Sequence, residues 1–104
     1  MAEDGPESRP IPIEWRIPEN FVSRYATNLV VQGSEHEFII SFFEIRPPMI
    51  LGSPDEQRAT LQQIQSVPAE CVARIVVAAE RMPEFVKVLQ EQLAQYLSRK
   101  SKPE

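Results

Sequence analysis

The sequence is poor in the residues that most site chemistry needs. It holds one cysteine (Cys71), one histidine (His36) and three glycines, at positions 5, 33 and 52. A lone cysteine forms no internal disulfide, which suits a reducing compartment and predicts a cytoplasmic protein. A structural zinc site takes about four His or Cys ligands, so the usual zinc constellations are excluded. Glycines this far apart build no glycine-rich loop to cradle a phosphate. The longest apolar run is Ile75-Val76-Val77-Ala78-Ala79, far short of the about 20 residues that span a bilayer. The start, Met1 to Glu7, is acidic and lacks an apolar core, which predicts no secretory leader. Basic residues are scattered and outnumbered, 11 against 15 acids for a net charge of −4. Phosphate contacts dominate nucleic-acid affinity, so that class of partner is disfavoured. The cluster Arg99, Lys100 and Lys102 reads as a complement to a helix dipole. No cofactor, metal, nucleic-acid or membrane partner is expected.

The 104 residues suit one domain, since domains commonly hold about 100–150. Proline is abundant, with 10 residues where the usual share is about 5%. Residues 1–10 are rich in Pro, Gly and acid and predict a disordered tail; residues 11–100 form the domain. In Ile11-Pro12-Ile13-Glu14-Trp15-Arg16-Ile17-Pro18 the apolar residues alternate with a period of two. Prolines donate no ladder bonds, so this is an edge strand or an extended arm. Tyr25–Gln32 and Glu37–Ile45 are β-branched and aromatic, and the short polar turn between them marks a hairpin. The second run is apolar on both faces: Phe38, Ile40 and Phe42 on one, Ile39, Phe43 and Ile45 on the other. Both sides of its sheet should therefore be covered.

Arg46-Pro47-Pro48 ends that strand. Ser53-Pro54-Asp55-Glu56 carries a helix start with a capping box, predicting a short surface helix over 54–65. Cys71–Ala79 is a third strand, with Arg74 in its middle needing a carboxylate or a route to solvent. From Pro83 to about Arg99, Val86, Leu89, Leu93, Tyr96 and Leu97 recur at helical spacing. The result is an α+β domain: an antiparallel β-β-β-α core, an N-terminal edge strand or arm, a short inserted helix, and a C-terminal helix across one sheet face. His36 reads as a solvated turn residue and Cys71 as a small buried side chain, with no nearby cation to activate it.

Tyr25-Ala26-Thr27-Asn28, Glu37-Phe38-Ile39-Ile40-Ser41-Phe42, Val72-Ala73-Arg74-Ile75-Val76 and a helix ending near Tyr96 stand in a familiar order. Residues 20–97 so arranged resemble a family of small prokaryotic proteins known as domain of unknown function three-four-six-seven. The resemblance implies a β-β-β-α plan and no activity. Thr27 intrudes into the family's usual Tyr-Ala-Asn. The last helix opens with Arg81-Met82-Pro83-Glu84-Phe85 where the family often has Ser/Thr-Pro-x-His-Ala-Lys, so no role for that His or Lys carries over.

One helix covers one face of a sheet, and the other face still bears large apolar side chains. Soluble monomers rarely expose such a patch, and two-fold dimers are the commonest way to bury it. The leading expectation is a small homodimeric interaction or scaffolding domain, with another protein as the alternative partner. Its contacts should come from Ile13, Trp15, Phe43 and Ile45, with Tyr25 and Arg74 as polar anchors. The competing arrangement folds the arm back over its own sheet. A chaperone-like or adaptor protein that binds apolar peptides is the second reading, on a fold-level likeness to export chaperones of the SecB type. An enzyme is not expected. Its best candidates, Glu44 with Arg46 and Glu37 beside His36, are chain neighbours expected to point to opposite sheet faces.

Overall fold

A computed structural model of the chain describes residues 9–101. Residues 1–8 of the expected tail lie outside the described residues. The elements run β1 (Asn28–Gly33), β2 (Glu37–Ile45), α1 (Pro54–Gln63), β3 (Ala69–Ala78), a single 3-10 turn (Ala79–Arg81) and α2 (Met82–Ser101). The strands form one antiparallel sheet in the order β1-β2-β3. This is the α+β plan the sequence predicts, with element ends shifted by a few residues.

The hairpin turn is built from Ser34. Its N–H donates to the Glu37 carbonyl at 2.8 Å, and its hydroxyl accepts from the Glu37 N–H at 3.2 Å. The preceding Gly33 pairs with Phe38, whose ring lies over it: a Cβ at Gly33 would sit 3.1 Å from the ring. At the other end of the hairpin Thr27 extends the ladder with its side chain. Its hydroxyl accepts from the Ile45 N–H at 2.9 Å and donates to Asn28 Oδ1 at 2.8 Å, while its N–H donates to the Phe43 carbonyl. Between β2 and β3 the register slips at Phe42/Phe43, where Val72 is the extra residue of a bulge. A bulge bends its strand and strengthens local twist.

α1 starts as the sequence predicts. Ser53 Oγ accepts from the Glu56 N–H, and Glu56 Oε1 accepts from the Ser53 N–H at 2.8 Å. Gly52 precedes this box with φ +107°, a conformation that side chains resist, and a Cβ there would collide with the Glu56 carboxylate. No residue of α1 is buried, as expected for a surface helix.

Directly paired residues of antiparallel strands share a face. Leu29 and Val31, Phe38, Ile40 and Phe42, and Ala73, Ile75 and Val77 therefore line one face, which we term the helix face. Val30, Ile39, Ser41, Phe43, Ile45, Arg74 and Val76 line the opposite, open face. α2 begins just past β3 and brings Phe85, Val88 and Leu89 over the helix face. Val77, beneath it, is the one buried hydrophobic residue among those described, at 4% exposure. The helix thus crosses the sheet without sealing it, and none of its own residues is buried.

The segment Ile11–Ile17 is the arm of the two options and not an edge strand. It holds no backbone hydrogen bond to the sheet, and Ile13 and Trp15 are 70% and 85% exposed. It does not fold back over its own sheet. The protein is accordingly extended, with a radius of gyration of 22.3 Å where a compact chain of 100 residues has about 13 Å.

Candidate interaction surface

The open face presents a row of apolar side chains, as does the part of the helix face that α2 leaves uncovered, where Leu29, Val31 and Ile75 are exposed. Along β2 the open face presents Ile39, Phe43 and Ile45, flanked by Val30 on β1 and Val76 on β3. Val30, Ile45 and Val76 are exposed, and Ile39 and Phe43 are half-buried only because β2 has a neighbour on either side. Ser41 sits at the centre of this face and is buried, at 2% exposure. Arg74, directly opposite on β3, lies across it and donates from Nε to Ser41 Oγ at 3.0 Å. Arg74 therefore satisfies the central hydroxyl and reaches solvent with the rest of its guanidinium, with no carboxylate partner among the described residues.

The residues predicted for contacts fall into two groups. Phe43, Ile45 and Arg74 converge on the open face. Ile13 and Trp15 stand apart on the arm, and Tyr25 is exposed in the segment ahead of β1. The helix expected across one sheet face does not bury its whole stripe. Leu93, Tyr96 and Leu97 are about half exposed, and Lys100 Nζ stands 5.9 Å over the Tyr96 ring. Helical spacing revealed this stripe, but spacing alone does not say whether a stripe meets its own sheet or another chain. Where α2 does meet the sheet, Ile40, Phe42, Ile75, Val77, Phe85, Val88 and Leu89 enclose an open, wholly apolar groove of about 450 Å³.

Two expectations about polar residues need correction. Cys71 is exposed: it lies on β3, the outer strand, where nothing packs over it. Its thiol contacts the Ala73 carbonyl at 3.5 Å. Glu44 and Arg46 do not point to opposite faces. Being two residues apart along an extended chain, they share a side, and Arg46 Nη2 lies 3.2 Å from Glu44 Oε1. Arg46 Nε also lies 3.1 Å from Glu70 Oε1. Glu44 and Glu70 are directly paired across β2 and β3, so Arg46 separates two like charges at the end of the sheet. His36 is exposed in the turn, as expected, 3.7 Å from Glu35 Oε1. Among the described residues no group of three or more His, Cys, Asp or Glu comes together as a metal site, and no helix is long and apolar enough to cross a membrane.

No curated protein and no solved structure matches the chain. Its residues 1–102 match a family described as protein of unknown function, DUF3467, the family that its spaced blocks resemble. With nearly the whole chain matched, the protein belongs to the DUF3467 family.

Proposed function

We propose that this protein is a small oligomeric interaction or scaffolding domain, most simply a homodimer that buries the open face of its sheet. It acts by binding rather than by catalysis, in a reducing compartment that suits its exposed Cys71. The observation that carries the reading is the mismatch between apolar content and burial. Among the described residues a single hydrophobic side chain is buried, while Val30, Ile45 and Val76 on the open face and the arm's Ile13 and Trp15 stand in water. Burying apolar surface is the main favourable term in folding, at about 25 cal/mol per Å². A chain that leaves so much of it exposed gains its missing stability by association.

Light scattering on the full chain across a dilution series tests this. The expected mass is twice the 11.9 kDa of the chain. Phe43→Asp, beside Ser41 on the open face, should weaken that dimer by about 2 kcal/mol or more, roughly thirtyfold in the dissociation constant. A folded monomer at every concentration would overturn the proposal. The wholly apolar groove under α2 supports a second reading, a chaperone-like or adaptor role that takes up apolar peptide segments. Saturable binding of an apolar peptide, lost on Leu89→Asp, would favour it.

A further inference from the structure

The backbone of the arm is as one-sided as its side chains. In an extended chain the N–H and C=O of one residue point to one edge and those of the next residue to the other. Pro10, Pro12 and Pro18 all fall at even positions, and proline has no N–H to donate. The edge formed by even residues therefore lacks three donors. The edge formed by Ile11, Ile13, Trp15 and Ile17 keeps every donor and acceptor. The arm is suited to add to a sheet by that edge; on the other, Pro12 and the flanking Pro10 and Pro18 leave only Glu14 and Arg16 to donate, a known guard against open-ended aggregation.

The sheet offers two free edges. Ser34 bonds to Glu37, and Ala79 bonds to the His36 carbonyl. These two contacts fix the alternation: β2 serves β1 from its odd residues and β3 from its even ones. On β3 the outward-pointing backbone groups belong to Arg74, Val76 and Ala78; on β1 they belong to Leu29, Val31 and Gly33.

Given the dimer reading above, on which this inference rests, we propose that the arm Ile11–Ile17 of one copy adds antiparallel to the β3 edge of a second copy. Three observations choose β3. Antiparallel pairing sets the arm's odd residues opposite Arg74, Val76 and Ala78, so that Ile11, Ile13, Trp15 and Ile17 extend the open face that the dimer buries. Pairing on β1 would set them on the helix face instead. Length permits it as well: at about 3.3 Å per residue the arm spans about 23 Å, which β3 at about 33 Å can hold whole and β1 at about 20 Å cannot. Finally, Phe21 and Val22 share a groove with Phe42, Val72 and Ala73, which brings the base of each arm to the β3 side of its own sheet. Two copies related by a two-fold axis that sets their open faces against one another would then exchange arms reciprocally.

A proline scan on the full chain tests the parity, read by sedimentation velocity over dilution and by amide hydrogen exchange. Ile13→Pro removes a donor from the pairing edge, and Ile13→Ala controls for the lost side chain. Glu14→Pro removes a donor only from the edge that is already poor in donors. Ile13→Pro should weaken the dimer about tenfold beyond Ile13→Ala, whereas Glu14→Pro should stay within about threefold of the parent. The Arg74 and Val76 amides should be protected in the parent and lose protection in Ile13→Pro. Equal effects of the two prolines, or protection of Leu29 and Val31 in place of Arg74 and Val76, would overturn arm exchange onto β3 while the dimer stands. A monomer with protected Arg74 and Val76 would place the arm in its own sheet and overturn the exchange. A monomer without that protection would remove the dimer reading itself.

Discussion

β2 and the arm ahead of β1 are written in similar residues. Both carry bulky apolar side chains at every second position, Phe38, Ile40 and Phe42 in one and Ile13, Trp15 and Ile17 in the other, and β2 is apolar on its second parity as well. Their surroundings differ. β2 has a strand on either side and α2 above, and most of its residues are half-buried or buried. The arm has no partner strand, and Trp15 is the most exposed large hydrophobic side chain among the described residues. The alternation specifies that a segment is extended and two-sided; it does not specify what lies against it. Proline decides the difference. β2 has none and can sit in the middle of a sheet, whereas the arm, with prolines on one parity, is confined to an edge.

The sharpest way to break this comparison is to place a charge in each region. Val77→Asp puts an unpaired carboxylate at the buried position facing β2 and α2. It should cost more than about 3 kcal/mol and abolish the cooperative thermal transition. Trp15→Asp should leave the circular dichroism spectrum of the sheet intact and act on association instead. If both variants unfold alike, the arm belongs to the core of the protomer and the contrast is wrong.

A smaller effect tests the register that ends β2. Arg46→Met leaves Glu44 and Glu70 opposed without the guanidinium between them. The change should cost about 0.5 kcal/mol by chemical denaturation. Adding Glu70→Gln should restore most of it, because the repulsion then disappears. No recovery would mean that Arg46 acts through packing.

The smallest effect concerns α1, which belongs to neither region and is held by its own cap. The Ser53 backbone N–H first, and the Ser53 side chain second, hold the Glu56 carboxyl below its ordinary 4.5. A carboxyl depressed in the folded state stabilises that state above the unfolded value, and the contribution is lost as pH falls through the folded value. The first turn of α1 should therefore fray as the solution is acidified below pH 4.5, seen in the Ser53 and Glu56 amide resonances. Glu56→Gln should flatten that dependence while β1–β3 stay unchanged. Fraying that persists unaltered in Glu56→Gln would assign it to another group.

Much of the architecture is legible in the residues, because the signals are local. The turn at Ser34–Glu37, the capping box at Ser53–Glu56, the break at Pro47-Pro48 and the stripe of α2 each lie within a few residues of chain. The placement of the residues expected to make contacts was only half legible. Phe43 and Ile45 follow from alternation along β2, but that Arg74 joins them depends on the pairing of Arg74 with Ser41 across 33 residues. The position of Arg46 between Glu44 and Glu70 depends in the same way on a register that no local pattern contains. Cys71 was misread because an apolar run looks the same in a central and an outer strand, and only strand order distinguishes them.

The sequence by itself therefore determined which segments are extended, which are helical, where each begins, and that one edge of the arm is poor in hydrogen-bond donors. These follow from side-chain spacing and from the missing N–H of proline. Only the tertiary structure decided which face of the sheet α2 covers and which stays open, that Ser41 is buried beneath Arg74, and that the arm lies away from its own sheet. Those outcomes depend on contacts between residues far apart in the chain, where strand order and register place side chains that local spacing leaves free.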